Sequence, residues 1–189
     1  NRGSLLEKNY LNHVDMEIKN GEIVGIVGED IGIIGELIKG FKRPSKGEIR
    51  IDEIVIKKSN HVHQISELRK KVGFVSKEEQ KYLSKTVEEE INLYIVDSLK
   101  LVGLSKECLK RDPNSLSYTE KKKVNLAKAM SINPELLILE EFEKGLIFRE
   151  REYFKKLFLK LKSKLNKTVI IISKDVSFMF SLVNNIYVI

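Results

Sequence analysis

Short apolar runs alternate along the chain with longer segments in which apolar residues return every three or four positions. Ile23 to Val27, Val72 to Val75, Leu136 to Leu139, Thr168 to Ile172 and Ile186 to Ile189 are near-continuous apolar runs, rich in β-branched residues. Runs of this kind predict strands covered on both faces, as in a parallel sheet. Thr86 to Leu101 opens with Thr-Val-Glu-Glu, a helix cap with acids in the first turn. Thr119 to Met130 carries Val124, Leu126, Ala127 and Met130 among lysines. Arg149 to Leu165 places Phe154, Leu157, Phe158, Leu161 and Leu165 on one helical face. A helical run is also expected from Leu37-Ile38 onward. Strands separated by helices predict an α/β fold. The stretch from about 86 to 113 has helical character and no strong strand, so it is expected as a helical subdomain inserted in a core of about 1–85 and 114–189.

Composition narrows the class. The chain has 189 residues, 42% of them hydrophobic, enough for one domain with a real core. Charged residues make up 32%, and no apolar run approaches the roughly 20 residues that cross a bilayer. A single cysteine, Cys108, rules out an intramolecular disulfide framework and fits a reducing compartment. The residues from Asn1 to Asn12 do not read as a signal peptide. Lys and Arg number 34 against 27 acids, a net charge of +7. That excess suits an acidic partner, such as nucleic acid, anionic lipid or nucleotide, without choosing among them.

The first strand leads into Gly28-Glu29-Asp30-Ile31-Gly32-Ile33-Ile34-Gly35-Glu36. Strand, glycine-bearing loop and helix start form the setting of a phosphate-binding loop, where backbone N–H groups surround an anion. The pattern for such loops is G-x-x-x-x-G-K-[ST]. Gly28 fits its first position. Counted forward, the second glycine falls on Ile33, the lysine on Ile34 and the hydroxyl on Gly35. Taken alone, this segment reads at least as well as a plain βα turn.

The rest of the chain changes the weighting. Arg69-Lys70-Lys71-Val72-Gly73-Phe74-Val75, Thr86-Val87-Glu88-Glu89-Glu90-Ile91, Leu116-Ser117-Tyr118-Thr119-Glu120 with its basic helix, Asn133 through Glu141, and Thr168 through Asp175 follow in a characteristic order. In that order the chain resembles the ATP-binding cassette of ABC transporters, most of all the ATPase subunits of energy-coupling-factor importers. The resemblance runs from about Val14 to Ile189. It implies a P-loop NTPase-like α/β fold with a mostly parallel sheet, ATP and Mg²⁺ as cofactors, a transmembrane transporter subunit and a second cassette as partners, and a cytoplasmic, peripheral place on the inner face of the cell membrane. It also implies that the chain is cut at one or both ends.

The same resemblance implies cofactor-binding roles for Gly28, Glu29, Asp30, Ile31, Gly32, Ile33, Ile34, Gly35, Glu36, Lys77 and Ser117, a metal-associated role for Glu140, and catalytic positions for Glu141 and Lys174. Most of these positions depart from the family pattern. The phosphate-contacting lysine is Ile34, which cannot supply a charge-assisted hydrogen bond. The Mg²⁺-holding hydroxyl is missing at Gly35. Glu29, Asp30 and Glu36 add negative charge, and Ile31 and Ile33 resist positive φ. Lys77 stands for a glutamine, Tyr118 and Thr119 for two glycines, Glu140 for an aspartate and Lys174 for a histidine. Gly28, Ser117 and the general-base position Glu141 match. These departures predict weak nucleotide affinity and slow or absent hydrolysis. Lys77 and Lys174 are expected to point at Glu140 and Glu141 as built-in counter-ions in place of metal; both reaching solvent is the open alternative.

Two rival readings stay open. One is an unusual ATPase in which Lys77 or Lys174 replaces the lost lysine and Glu141 activates water. The other is a soluble, non-transport cassette acting on ribosome or nucleic acid, although nucleic acid is the less favoured partner. Smaller signals add little. His61-Val62-His63 lacks the further ligands of a metal site and reads as a surface loop or edge strand. Tyr10 is as well suited to packing as to stacking on adenine. Cys108 is expected in the interior of the helical stretch. Lys77 to Lys85, with Tyr82, reads as an adaptable contact surface.

Overall fold

The computed structural model describes residues 11–59, 62–77, 82, 84–90 and 96–189. Tyr10 and His61 lie outside the described residues. The predicted apolar runs form a five-stranded sheet in the order β4-β5-β6-β1-β7, with β1 at Ile23–Val27, β4 at Val72–Val75, β5 at Leu136–Glu140, β6 at Thr168–Ile172 and β7 at Asn185–Val188. Every pairing in that sheet is parallel. The sheet therefore gathers its carboxyl ends on one edge, where ligands bind in folds of this kind.

The helices are α1 (Gly32–Ile38), α2 (Val62–Lys71), α3 (Val87–Glu90), α4 (Val96–Leu101), α5 (Tyr118–Met130), α6 (Phe148–Leu165) and α7 (Val176–Met179). Short 3-10 turns at Lys106–Lys110 and Pro113–Ser115 lie between α4 and α5. The cap expected at Thr86 is present at the start of α3, where Glu89 N donates to Thr86 Oγ1 at 3.2 Å; residues 91–95 of the expected helical run lie outside the described residues. Cys108 is buried in the first of those 3-10 turns.

Alternation along the strands divides the core in two. Leu137, Leu139, Val169 and Ile171 face one layer with Leu126, Phe154 and Phe158; Ile138, Ile170, Ile172 and Ile26 face the other with Ile34, Ile38 and Leu68. Each fully buried aliphatic or aromatic side chain contributes about 1.5–3 kcal/mol, so a covered parallel sheet tolerates little polar substitution.

Three features differ from the sequence reading. Helix α1 begins at Gly32 and ends at Ile38, near where the helical run was expected to start. Ile31, Ile34 and Ile38 recur at helical spacing and are all buried against the sheet, which outweighs the poor helix propensity of glycine and β-branched residues. An antiparallel hairpin, β2 (Ile49–Ile51) with β3 (Ile54–Ile56), packs in the second layer. His63 lies on the exposed surface of α2 rather than in a loop or edge strand. Among the described residues no helix is long and apolar enough to cross a membrane.

Candidate functional site at the carboxyl edge of the sheet

The sheet carries Gly28 past the end of β1, Lys77 past β4, Glu140 at the end of β5, Glu141 directly after it, and Lys174 past β6. Five of the sequence-predicted residues thus lie along one edge, and the turn after Gly28 is tight. Only Glu29, Asp30 and Ile31 separate Gly28 from the first residue of α1. Asp30 takes the left-handed backbone (φ 53°) and Ile31 the helical one (φ −63°). The turn is closed on itself: Ile33 N donates to Asp30 O at 3.2 Å and Ile34 N to Ile31 O at 3.0 Å. Those N–H groups are no longer available to an anion.

Gly28 has a packing reason to be glycine. A Cβ there would stand 2.0 Å from the backbone oxygen of Ile189, and Ile189 N donates to Val27 O at 2.9 Å. Ile34 is buried in the second core layer, and a Cβ on Gly35 would press on Phe74 and Ile172. Neither position faces the strand-end acids. Gly32 does: its Cβ would lie 2.6 Å from Glu140 Oε1 and 3.7 Å from Lys77 Nζ. Glu29 and Asp30 are exposed, and Glu36 pairs at the surface with Lys42 at 2.8 Å.

Glu140 is almost fully buried, and Lys77 Nζ lies 3.6 Å from its Oε1. Burial pushes the Glu140 carboxyl above the usual carboxylate range; Lys77 pulls it down through its charge and its hydrogen bonds, and Glu141 pushes it up. Desolvation wins this contest, as expected of a carboxylate deprived of water with one partly exposed cation beside it. Glu141, in an uncommon left-handed conformation (φ 42°), pairs with Lys144 at 3.5 Å. Lys174 is exposed and shares with Glu141, Glu143, Lys144, Gly145, Arg151 and Asp175 an open cleft of about 390 Å³. Of the two expected counter-ions, Lys77 meets its acid, whereas Lys144 stands beside Glu141 in the part foreseen for Lys174.

The residues after β5 contain a feature the sequence reading missed. Glu143 is buried; its Oε1 accepts a hydrogen bond from Ser173 Oγ, and among the described residues its Oε2 has no protein partner. Beside it Arg151 pairs with Asp175 at 2.6 Å. Burial raises the Glu143 carboxyl, against the opposing pull of the Ser173 hydrogen bond. A carboxyl raised on folding favours the native state at low pH and loses that contribution as pH rises through its folded value. Glu143→Gln should therefore stabilise the protein at pH 7 by about 1–2 kcal/mol and reduce the decline in stability above about pH 5. Urea unfolding across that range measures both; a variant less stable than the parent at every pH would contradict the account.

The Ser117 segment is satisfied within its own chain. Ser117 caps α5 by a reciprocal pair, Glu120 N to Ser117 Oγ at 3.3 Å and Ser117 N to Glu120 Oε2 at 2.9 Å. Arg111 adds an ion pair to Glu120 at 2.7 Å. The α5 amino end thus already holds a carboxylate, which its backbone bond from Ser117 keeps below the usual range. Tyr82, expected on a contact surface, is buried instead; its hydroxyl donates to Asn125 Oδ1 at 2.7 Å.

The residues present depart from those that would hold a nucleotide with Mg²⁺. The turn offers no nest, Gly32 has no hydroxyl, and Glu140 already faces an ammonium. No group of three or more His, Cys, Asp or Glu among the described residues is arranged to hold a metal.

Residues 11–143 match the model of the ABC transporter family. The energy-coupling factor transporter ATP-binding protein EcfA2 of Clostridium tetani is 33% identical over 186 residues, covering 88% of this chain and 64% of that relative. The protein of the same name from Bacillus subtilis is 29% identical over 185 residues, covering 88% and 67%. The chain therefore spans less than two thirds of the Clostridium tetani relative. Among solved structures, cbiO1 of Clostridium perfringens, part of the ABC transporter complex cbiONQ, has a TM-score of 0.83 at 24% identity, covering 96% of this chain and 80% of that one. A dimeric bacterial ABC transporter cassette has a TM-score of 0.82 at 22% identity, covering 93% and 84%. At these identities the structural likeness speaks for the fold.

Proposed function

Because the chain belongs to the ABC transporter family, we propose that it is a coupling cassette of an energy-coupling-factor type importer whose own nucleotide site binds and hydrolyses ATP poorly or not at all. The carrying observation is the closed turn at Glu29–Ile31, whose neighbouring N–H groups bond to Asp30 O and Ile31 O. A phosphate nest needs those donors free and a lysine beside them. The Lys77–Glu140 pair supports the same reading. Lys77 supplies one positive charge where a divalent cation would otherwise balance Glu140, so the acid is partly compensated without ligand. In this reading the residues at the sheet edge act as structure: Gly28 admits the last strand, Lys77 holds Glu140, and Ser117 caps α5.

The proposed partners are a transmembrane transporter subunit and a second cassette, identical or different, with the chain peripheral on the inner face of the membrane. Helices α3 and α4 with the 3-10 turns, about 86–113, are the proposed inserted subdomain. The relatives named ATP-binding proteins supply the partner class; the residues above supply the loss of chemistry.

Calorimetric titration with Mg·ATP tests the proposal. The expected result is no saturable heat at micromolar nucleotide and no phosphate release above buffer. Micromolar binding would overturn it while leaving the fold untouched.

A further inference from the structure

The amino ends of α5 and α6 reach toward each other's surroundings. From α5, the Tyr118 hydroxyl donates to the backbone oxygen of Lys144 at 2.7 Å. Its ring fills the space over Gly145: a Cβ there would come within 2.8 Å of Tyr118 Cε1, and Gly145 sits at φ 77°. The next residue, Thr119, hydrogen-bonds through Oγ1 to Glu150 Oε1, while Glu150 Oε2 accepts from Ile147 N at 2.9 Å. From α6, the Tyr153 hydroxyl donates to Val102 O at 2.7 Å, in the turn that ends α4. Gly103, at φ 65°, leaves the opening that hydroxyl occupies. Lys123 of α5 lies 4.5 Å over the Tyr153 ring and donates to Gly103 O at 3.3 Å.

The two tyrosines therefore run in opposite directions between the same bodies. One leaves the α4–α5 layer for the turn after β5; the other leaves α6 for the end of α4. We propose that Tyr118 and Tyr153 form a reciprocal two-point latch that fastens the α4–α5 helical layer to the 144–153 segment, so that the two move as one body. Rotation of the helical layer about α5 would have to break both hydroxyl–carbonyl bonds and uncover two glycine turns that now fit an aromatic ring. Lys122, almost fully buried, supports the arrangement from beneath, 5.3 Å from the Tyr118 ring and 5.1 Å from that of Phe142. The inference stands on these contacts and is independent of whether nucleotide binds.

Amide hydrogen exchange on Tyr118→Phe, Tyr153→Phe and the double variant tests it. Losing one neutral hydrogen bond should raise local opening by about 2–10-fold. The latch makes a further demand: the effect must cross the interface. Tyr118→Phe should speed exchange at Gly103 and Leu104, whose amides bond to Lys100 O and Leu99 O, as well as at Lys121. Tyr153→Phe should speed exchange at Lys121 and Leu146 as well as at Leu104. Tyr187→Phe, which removes a bond to Glu17 O elsewhere, should leave all of these unchanged. Acceleration confined to each mutated residue's own surroundings would overturn the proposal. If Tyr153→Phe does not fold, Tyr118→Phe combined with Thr119→Val carries the same test through Gly103 and Leu104.

Discussion

Phe142→Ala is expected to lower the unfolding free energy by about 3–5 kcal/mol. Phe142 has no exposed surface and is packed edge-on against Phe154, with ring centres 4.8 Å apart, and Phe158, at 5.3 Å. Truncation removes apolar burial, two edge-to-face contacts and the ring that Lys122 covers all at once. The neighbours cannot close the gap, because Phe154 and Phe158 are themselves fully buried on the long helix α6. Phe142→Leu, which keeps most of the volume, should cost about 1–2 kcal/mol. Urea denaturation of both variants checks the series. An alanine variant within about 1 kcal/mol of the parent would show that this trio does not anchor α6 to the end of β5.

Lys77→Met is expected to destabilise the protein by about 1–2 kcal/mol at pH 7, and by less at pH 5. Breaking a fully buried ion pair costs about 3–5 kcal/mol, but the Lys77 side chain is 44% exposed and water shares its charge. The pH dependence follows from Glu140, whose carboxyl is already raised by burial. Without Lys77 it rises further. A raised carboxyl loses its contribution as pH climbs from the unfolded value through the folded one. In the variant that decline reaches higher pH, so the gap between the two proteins opens between about pH 5 and pH 7. Denaturation at both pH values measures it. A gap that narrows with rising pH would mean that Lys77 does not compensate Glu140.

Four strands were legible because they are apolar and covered on both faces, and β6 falls where Thr168 to Ile172 placed it; β7, at the sheet edge, is instead mostly exposed. The order of motifs supplied the family, which spacing and periodicity alone could not. The hairpin was missed although Ile49, Ile51, Ile54 and Ile56 alternate around Asp52-Glu53; strands of three residues give a weak signal beside neighbouring turns. The start of α1 was misplaced because two glycines and two isoleucines favour other conformations locally, and only contact with the sheet makes them helical. Counting forward from Gly28 put the loop's missing groups at Ile34 and Gly35, whereas the folded chain turns sooner and brings Gly32 to Glu140. That compression shows in sequence only as a short interval between Gly28 and Gly40. Lys144 beside Glu141 follows from a turn conformation that no spacing rule specified, and the buried state of Glu143 depends on Ser173, thirty residues away.

Gly28 and the backbone of Ile189 fit so closely that any larger residue at position 28 would collide with it. The bend after β1 doubles as a seam between β1 and the residue that follows β7, since Ile189 N also donates to Val27 O. Ile34→Lys would drive an ammonium into hydrocarbon, and lengthening the bend would press on the backbone of Ile189. The bend is thus held from two sides, by the backbone of Ile189 and by the second core layer, and a change to it is felt in both.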